Sequence, residues 1–135
     1  MREKIVRTSL SLPSSLLKEL DGFVSSIKSD RSKVVQQAIR NFLSIPHEEE
    51  DMVAGSLMIV YNHGEHGLEE EMTDVQHDFI NLIISNIHIH LDEERCMLTV
   101  FVRGSLKAVQ SMMRRLIGKS GVLMVKESLV KIKQI

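Results

Sequence analysis

The first 44 residues show two different hydrophobic periods. In residues 5–12 apolar and polar side chains alternate, which is typical of a strand with one buried face. From residue 14 onward, apolar residues recur at helical spacing in two runs separated by "KSDRS". Ser14 or Ser15 can cap the first helix and Ser32 the second. The apolar stripes are Leu16, Leu17, Leu20, Phe23, Val24 and Ile27, then Val34, Val35, Ala38, Ile39, Phe42 and Leu43.

This strand-helix-helix order predicts a dimer, because a lone strand leaves its backbone unpaired and two short helices cannot enclose a core. Pairing with the same strand of a second chain would give a two-stranded antiparallel ribbon above four helices. The outward face of the ribbon would carry Arg7, Ser9 and Ser11. Such a ribbon fits the DNA major groove, where Arg and Ser can contact base edges. The alternative is a solvated face in a module that only dimerises.

The rest of the chain alternates strands and helices. "MVAGSLMIVY", "NIHIHL", "CMLTVFV" and "GVLMVKESLVKI" read as strands, and "LEEEMTDVQHDFINLIIS" and "SLKAVQSMMRRLIG" as helices. The order βαββαβ is that of the ferredoxin-like fold. The predicted fold class is therefore α+β, with a ribbon-helix-helix part followed by a ferredoxin-like domain of ACT type.

Charge divides the chain near Pro46. Residues 1–46 carry a net charge of +4 and residues 47–135 a net charge of −5, so a polyanion is the expected partner of the front part. The segment "IPHEEED" has a proline, an acidic run and no apolar periodicity, which indicates a linker. We predict a DNA-binding and dimerisation domain at 1–46, a linker at 47–52 and a metal-binding and tetramerisation domain at 53–135.

Composition limits the other possibilities. A chain of 135 residues can bury only a small core, which favours oligomerisation. It contains no long apolar span and no secretory leader, and one cysteine fits a reducing compartment. The expectation is a cytoplasmic protein with no membrane partner.

The stretch "HIHLDEERC" (residues 88–96) contains the candidate chemistry. Alternation is expected to turn Ile87, Ile89 and Leu91 toward the core and His88 and His90 toward the opposite face. The hairpin then returns Cys96 close to His90, in a position that alternation does not force into the core. Two imidazoles and a thiolate suit Ni, Cu, Co or Zn and suit Mg or Ca poorly. A fourth ligand would have to come from elsewhere, and His77 on a predicted helix is a candidate.

An enzyme is not expected. The chain lacks G-x-S-x-G, a Gly-rich phosphate loop and H-E-x-x-H. A site closed by four protein ligands also leaves no position for a substrate. An amino-acid sensor of ACT type, joined to the same DNA-binding front, is the remaining alternative.

Residues 4–44 resemble the ribbon-helix-helix family of DNA-binding proteins, through "SLSLPSSLLKELD" and "DRSKVVQQAIRNFL". With "VYNH", "QH" and "HIHLDEERC" added, nearly the whole chain resembles the nickel-responsive transcriptional regulator (NikR) family. The resemblance implies a homotetrameric transcriptional repressor that binds operator DNA. Two DNA-binding dimers would flank a tetrameric body.

The same resemblance implies particular residues. One Ni(II) per chain would be bound by His88, His90 and Cys96 of one chain and His77 of the next. Tyr61 and Gln76 match positions that orient the ligands. Arg7, Ser9 and Ser11 match base-reading positions, with Ser where Thr is commoner, and Lys33 is the expected phosphate contact. Control of nickel uptake is implied by resemblance alone.

The sequence also departs from the family pattern. Lys33 and Gln37 stand where many members have acidic residues that hold a cation near DNA, which puts that accessory site in doubt. The last strand lacks a histidine-glycine pair often found there. His63 and His66 resemble positions that sometimes bind extra, weaker metal, although solvated surface histidines are the favoured interpretation.

Overall fold

A computed structural model of the chain describes residues 2–134, with side chains through residue 133. Met1, the first residue of the predicted DNA-binding domain, and Ile135, the last residue of the predicted metal-binding domain, lie outside the described residues. The chain divides in sequence between Asn41 and Phe42 into two compact units, and each is described by itself. No helix of residues 2–134 is both long and apolar enough to cross a membrane.

The first unit contains the two predicted helices. α1 spans Ser14–Ser26 and α2 spans Arg31–Leu43, whose last two residues belong to the second unit. The Arg31 guanidinium donates two hydrogen bonds of 2.7 Å to the Asp21 carboxylate. This bidentate pair connects α1 with the start of α2 and holds the pKa of Asp21 below its ordinary value.

The caps of both helices differ from the prediction. α1 begins at Ser14 after Pro13, and no side chain caps it, because Ser14 and Ser15 already lie within its first turn. In α2 the Asp30 carboxylate accepts a hydrogen bond of 2.9 Å from the Lys33 amide. Asp30 therefore caps α2 in place of Ser32, since the helix begins one residue before that serine.

The apolar stripes of the first unit are exposed within one chain. None of residues 2–41 is buried, and Leu16, Phe23 and Ile39 are each about half exposed. Residues 2–13 form no strand in this single chain, where a strand would have no backbone partner. The ribbon between two chains stays a prediction.

The second unit has the predicted order βαββαβ. Its elements are β1 (Met52–Asn62), α3 (Leu68–Asp78), β2 (Ile83–His90), β3 (Arg95–Ser105), α4 (Leu106–Ile117) and β4 (Val122–Lys131), and a 3-10 helix follows at Ile132–Gln134. The sheet is antiparallel with strand order β2-β3-β1-β4. Because β3 separates β1 from β2, and β1 separates β3 from β4, the unit consists of two split βαβ motifs, as in ferredoxin-like folds.

Both helices of this unit pack against one sheet face. They bury Leu68, Met72, Val75, Leu106, Val109, Met112 and Leu116 at helical spacing. The buried sheet residues are Val53, Leu57, Ile59, Tyr61, Cys96, Leu98, Val100 and Val102. The Ser105 hydroxyl caps α4 by accepting a hydrogen bond of 3.2 Å from the Ala108 amide. Neither helix of this unit covers the opposite sheet face.

Helix α3 is shorter than predicted. The spacing predicts a helix through Leu82, but α3 ends at Asp78, and residues 79–82 form a turn. Phe79 and Leu82 still pack against the core, and the Leu82 carbonyl accepts a hydrogen bond of 2.9 Å from the Arg103 amide. The chain has to reverse here to pair β2 with β3, and this tertiary requirement outweighs the helical spacing.

The segment predicted as a linker is attached to the second unit. The Asp51 carboxylate accepts hydrogen bonds from the His47 and Glu48 amides at 3.0 and 2.9 Å, which hold its pKa below the ordinary value. Its oxygen also lies 3.7 Å from Lys131 Nζ on β4. Residues 47–51 therefore form an ordered turn.

Candidate metal centre

The register of three strands places the candidate ligands on one end of the sheet. Cys96 lies opposite Tyr61 on β1 and opposite His90 on β2, and Leu98 lies opposite His88. Directly opposed residues project from the same face of a sheet. His88 and His90 are therefore on the helix-covered face, together with buried Cys96.

This corrects the predicted orientation of β2. Alternation predicts Ile87 and Ile89 in the core, but they project from the open sheet face, where they are 54% and 41% exposed. Leu91, past the end of β2, is 46% exposed. Strand alternation separates the histidines from the isoleucines, but it cannot say which set faces the helices. The helices cover the centre of the sheet and leave His88 and His90 exposed on its edge strand.

Cys96 is the buried member of the candidate ligands. Its side chain is 0% exposed and continues the core row of Leu98 and Val100, a position that alternation alone left open. Its Sγ lies 3.2 Å from His90 Nδ1 and 3.5 Å from His63 Nδ1. The thiol thus lies on the protein side of the cluster, with imidazoles on the solvent side.

His63 is a further neighbour of Cys96, which local spacing does not predict. Its amide donates a hydrogen bond of 2.7 Å to the Glu94 carbonyl, which extends the β1–β3 ladder past Asn62. His63, His90 and Cys96 have donor atoms within 4.8 Å of one another. The alternation from Ile59 through Tyr61 contained the signal, because its next inward position is His63.

Glu69 is a second neighbour that local spacing does not predict. It lies in the first turn of α3, and its carboxylate accepts a hydrogen bond of 3.1 Å from the Tyr61 hydroxyl. Burial, followed by this bond to a carboxylate, raises the pKa of Tyr61. Glu69, His88 and Cys96 form a second group with donor atoms within 4.8 Å of one another, and the Tyr61 and His88 rings stack with centroids 6.2 Å apart.

The other predicted metal-site residues lie farther out on α3 and its preceding turn. His77 is exposed in the last turn of α3 and belongs to neither donor group found among residues 2–133. The Gln76 side-chain oxygen accepts a hydrogen bond of 2.7 Å from the side-chain amide nitrogen of Asn86 on β2. His66 is exposed and is also outside both groups.

A cavity of ≈ 270 Å³ opens between α3 and the edge strand, directly beside these groups. Its lining residues are Tyr61, Glu69, Met72, Thr73, Gln76, Asn86, His88 and Leu98. One end of the donor cluster can therefore be reached from solvent along α3.

The predicted DNA contacts are all exposed. Arg7, Ser9 and Ser11 lie in residues 2–13, and Lys33 lies in the first turn of α2, where its Nζ is 3.7 Å from the Asp30 carboxylate. Gln37 donates a hydrogen bond of 2.9 Å to the Asn41 side chain. The DNA-binding roles and the accessory cation site stay predictions.

Comparison with known proteins identifies the family. Residues 54–130 match the family model for the NikR C terminal nickel binding domain. This chain belongs to the NikR family. Relatives named as nickel-responsive regulators align over most of their length. The relative from Methanocaldococcus jannaschii is 35% identical, and the alignment covers 92% of this chain and 91% of that protein. The relative from Methanothrix thermoacetophila is 37% identical, and the alignment covers 93% of each protein. By these names the NikR family is one of regulators, not of enzymes.

Among solved structures, an uncharacterized protein from Thermotoga maritima matches with a TM-score of 0.50 at 17% identity, covering 61% of this chain and 99% of that one. This likeness concerns the fold alone. The ACT domain of a Chlorobium tepidum GTP pyrophosphokinase gives a TM-score of 0.48 at 15% identity, covering 57% of this chain and 86% of that one.

The donor set of this NikR-family chain fits nickel. Imidazole nitrogens and a thiolate are ligands of intermediate and soft character, and the first-row metals from Ni to Zn prefer them over carboxylates alone. The spacing between Cys96 Sγ and His90 Nδ1, 3.2 Å, is close to that of two atoms bound to one ion about 2.0–2.3 Å from each.

Proposed function

We propose that this protein is a nickel-responsive, DNA-binding transcriptional repressor that acts as a homotetramer. The observation that carries the proposal is that Cys96 Sγ lies within 4.8 Å of donor atoms of both His88 and His90, in two donor groups that share the thiol, in a chain of the NikR family. Each chain binds one Ni(II) through these three residues. Bound nickel supplies coordinate bonds that join two chains.

The fourth ligand in this proposal is His77 of a neighbouring chain. A planar nickel site needs four donors, and the His77 side chain of the same chain is outside the donor groups found among residues 2–133. It is exposed on α3 and thus available to another subunit. Tyr61 and Gln76 hold the site in shape, because one contacts Glu69 and His88 and the other bonds to Asn86, two residues before His88.

Exposed apolar surface supports the homotetramer. The open sheet face presents Ile87, Ile89, Phe101 and Met124, each at least 37% exposed, and contiguous patches of this kind usually mark protein interfaces. In the first unit no residue from 2 to 41 is buried, so its helices need a second copy to form a core. We assign the first-unit surface to the dimer and the sheet face to contacts between dimers.

Operator DNA is the proposed partner of the first unit, with Arg7, Ser9 and Ser11 reading bases and Lys33 contacting phosphate. Metal and operator must then strengthen each other's binding by the same factor. The proposed outcome is repression of genes for nickel uptake, by a protein located in the cytoplasm. The alternative is a regulator whose effector is not nickel but another transition metal (Cu, Co or Zn) or an amino acid.

Selection from a random double-stranded DNA library with Ni(II)-loaded protein tests this function. We expect enrichment of a two-fold symmetric sequence, because the ribbons are related by symmetry. Footprinting on that sequence should show protection with Ni(II) and loss of protection after chelation with EDTA. Equal protection in both conditions would contradict nickel control, and enrichment of no sequence would contradict operator recognition.

Subunit mixing tests the contribution of His77 from a second chain. Neither His77→Ala nor Cys96→Ala should form an intact nickel site alone. After demonstrated subunit exchange, the mixture should regain a minority of sites, measured as thiolate-to-nickel charge-transfer absorption, because some interfaces pair an intact triad with an intact His77. Exchange without recovery would favour a site built within one chain.

A further inference from the structure

We propose that Arg115 is a positioning residue of the nickel site, because it holds the last turn of α3 against α4 and so orients His77 toward a neighbouring chain. Arg115 itself does not touch the metal. The inference rests on the proposed function for the role of His77 as the fourth ligand. It adds the contact that fixes this ligand within its own chain.

Arg115 connects the last turn of α4 with the end of α3 through two contacts. Its Nη1 donates a hydrogen bond of 2.7 Å to Asp78 Oδ2. Its guanidinium carbon also lies 5.6 Å from the centroid of the Phe79 ring, within the range of cation–π attraction. Asp78 and Phe79 are the two residues that follow His77, so both contacts act on the chain next to the proposed ligand.

The end of α3 is a weak helix terminus without Arg115. Asp78 is the last residue of α3, where the negative end of the helix dipole disfavours a carboxylate. Helix ends also fray, and residues 79–82 turn directly after this point. The cation from α4 offsets the unfavourable position of Asp78 and keeps the last turn formed.

The residue on the other side of His77 is held as well. The Gln76 side chain accepts a hydrogen bond of 2.7 Å from the Asn86 side chain on β2, whereas Asp78 is held by Arg115 on α4. The backbone of His77 is thus fixed from two directions, although its side chain is exposed. A ligand fixed in this way loses little freedom on binding, which is how a residue that orients a ligand raises metal affinity.

The contact should matter more for metal binding than for folding. The Arg115 and Asp78 side chains are 43% and 58% exposed, and ion pairs this exposed contribute little to stability. Buried residues of the two helices, among them Val75 and Leu116, keep both helices on the sheet without it. Loss of Arg115 should therefore loosen the turn that carries His77 and leave the rest of the unit folded.

Nickel titration of Arg115→Ala in the full-length chain tests the inference. We expect the Ni(II) affinity, measured by charge-transfer absorption and calorimetry, to fall at least about 10-fold, as for other residues that orient a metal ligand. Arg114→Ala is the matched control and should bind normally, because the Arg114 guanidinium donates to Ser111 of its own helix at 3.1 Å. Arg115→Lys keeps the positive charge and should bind Ni(II) more tightly than Arg115→Ala.

Two further measurements separate positioning from a general structural effect. In a His77→Ala background, Arg115→Ala should cause no further loss of the weaker Ni(II) binding that remains, because Arg115 acts only through His77. In metal-free protein, Arg115→Ala should speed hydrogen exchange at the Phe79 and Ile80 amides, which donate to carbonyls of the last turn of α3. Arg114→Ala should leave both exchange rates unchanged.

Each other result has a defined meaning. Unchanged nickel affinity in Arg115→Ala, beside a clear loss in His77→Ala, would overturn this inference and leave the proposed function standing. Equal losses from Arg115→Ala with and without His77 would also overturn it, and so would Arg115→Lys binding no better than Arg115→Ala. If His77→Ala itself bound Ni(II) as tightly as the unchanged chain, the subunit-bridging site of the proposed function would fail, and this inference with it.

Discussion

Replacing Cys96 with alanine is expected to abolish the thiolate-to-nickel charge-transfer band and to weaken Ni(II) binding by orders of magnitude. The reason is that Cys96 is the only cysteine of the chain and both donor groups at the end of the sheet include its Sγ. The two imidazoles that remain on β2 cannot replace the thiolate's charge or softness. Titration calorimetry and near-ultraviolet absorption measure the two effects.

The chain should stay folded in this variant. Cys96 is fully buried beside Leu98, but the change removes a single heavy atom, at a cost of about 1 kcal/mol, as for one buried methylene. Thermal unfolding followed by circular dichroism checks this. Cys96→Ser is the matched control, because it keeps the shape of the side chain and still removes the thiolate. Nickel binding that survives both substitutions would exclude the cysteine from the site.

Arg7→Ala is expected to weaken binding to the selected operator by about 1–3 kcal/mol and to affect random DNA much less. A guanidinium that pairs with guanine through two hydrogen bonds contributes about this much to discrimination between bases. Arg7 is the only long basic side chain in the middle of the proposed ribbon face, beside the short Ser9 and Ser11. Fluorescence anisotropy with operator and random duplexes measures the difference.

Lys33→Ala is the comparison variant. It should weaken binding to both duplexes alike and flatten the salt dependence by roughly one unit of slope, as loss of one phosphate contact would. Asp30 already caps α2, so this contact depends on the Lys33 ammonium and not on a free helix end. Nickel binding should be normal in both variants, because the proposed ligands lie in the other unit. A uniform loss across all sequences in Arg7→Ala would show a phosphate clamp instead of a base reader.

Local sequence patterns determined the element order of this protein. Apolar spacing identified α1, α2 and α4, and alternation identified the four strands of the second unit, because these periods reflect contacts within a few residues along the chain. The closeness of Cys96 to His88 and to His90 was also predictable, although the two histidines belong to different donor groups. A tight hairpin brings both strands back within one turn, so these candidate ligands lie near Cys96 whatever the rest of the fold does.

Only the tertiary structure decided which side of the sheet these residues occupy. Alternation puts His88 and His90 opposite Ile87 and Ile89, and reversing every side chain of β2 leaves the pattern unchanged. The register of β2 with β3 removes this ambiguity, because it aligns the histidines with the buried row that contains Cys96. The early end of α3 has a similar origin, since helical spacing continues where the chain must turn into β2.

The positions of His63 and Glu69 beside Cys96 and Tyr61 could not be predicted from the sequence. His63 lies 33 residues before Cys96, and the two meet through the register of β1 with β3. Glu69 reaches Tyr61 through the packing of α3 on the sheet. Local patterns predict strands and helices, but contacts between distant segments depend on register and packing, which form only when the whole core assembles.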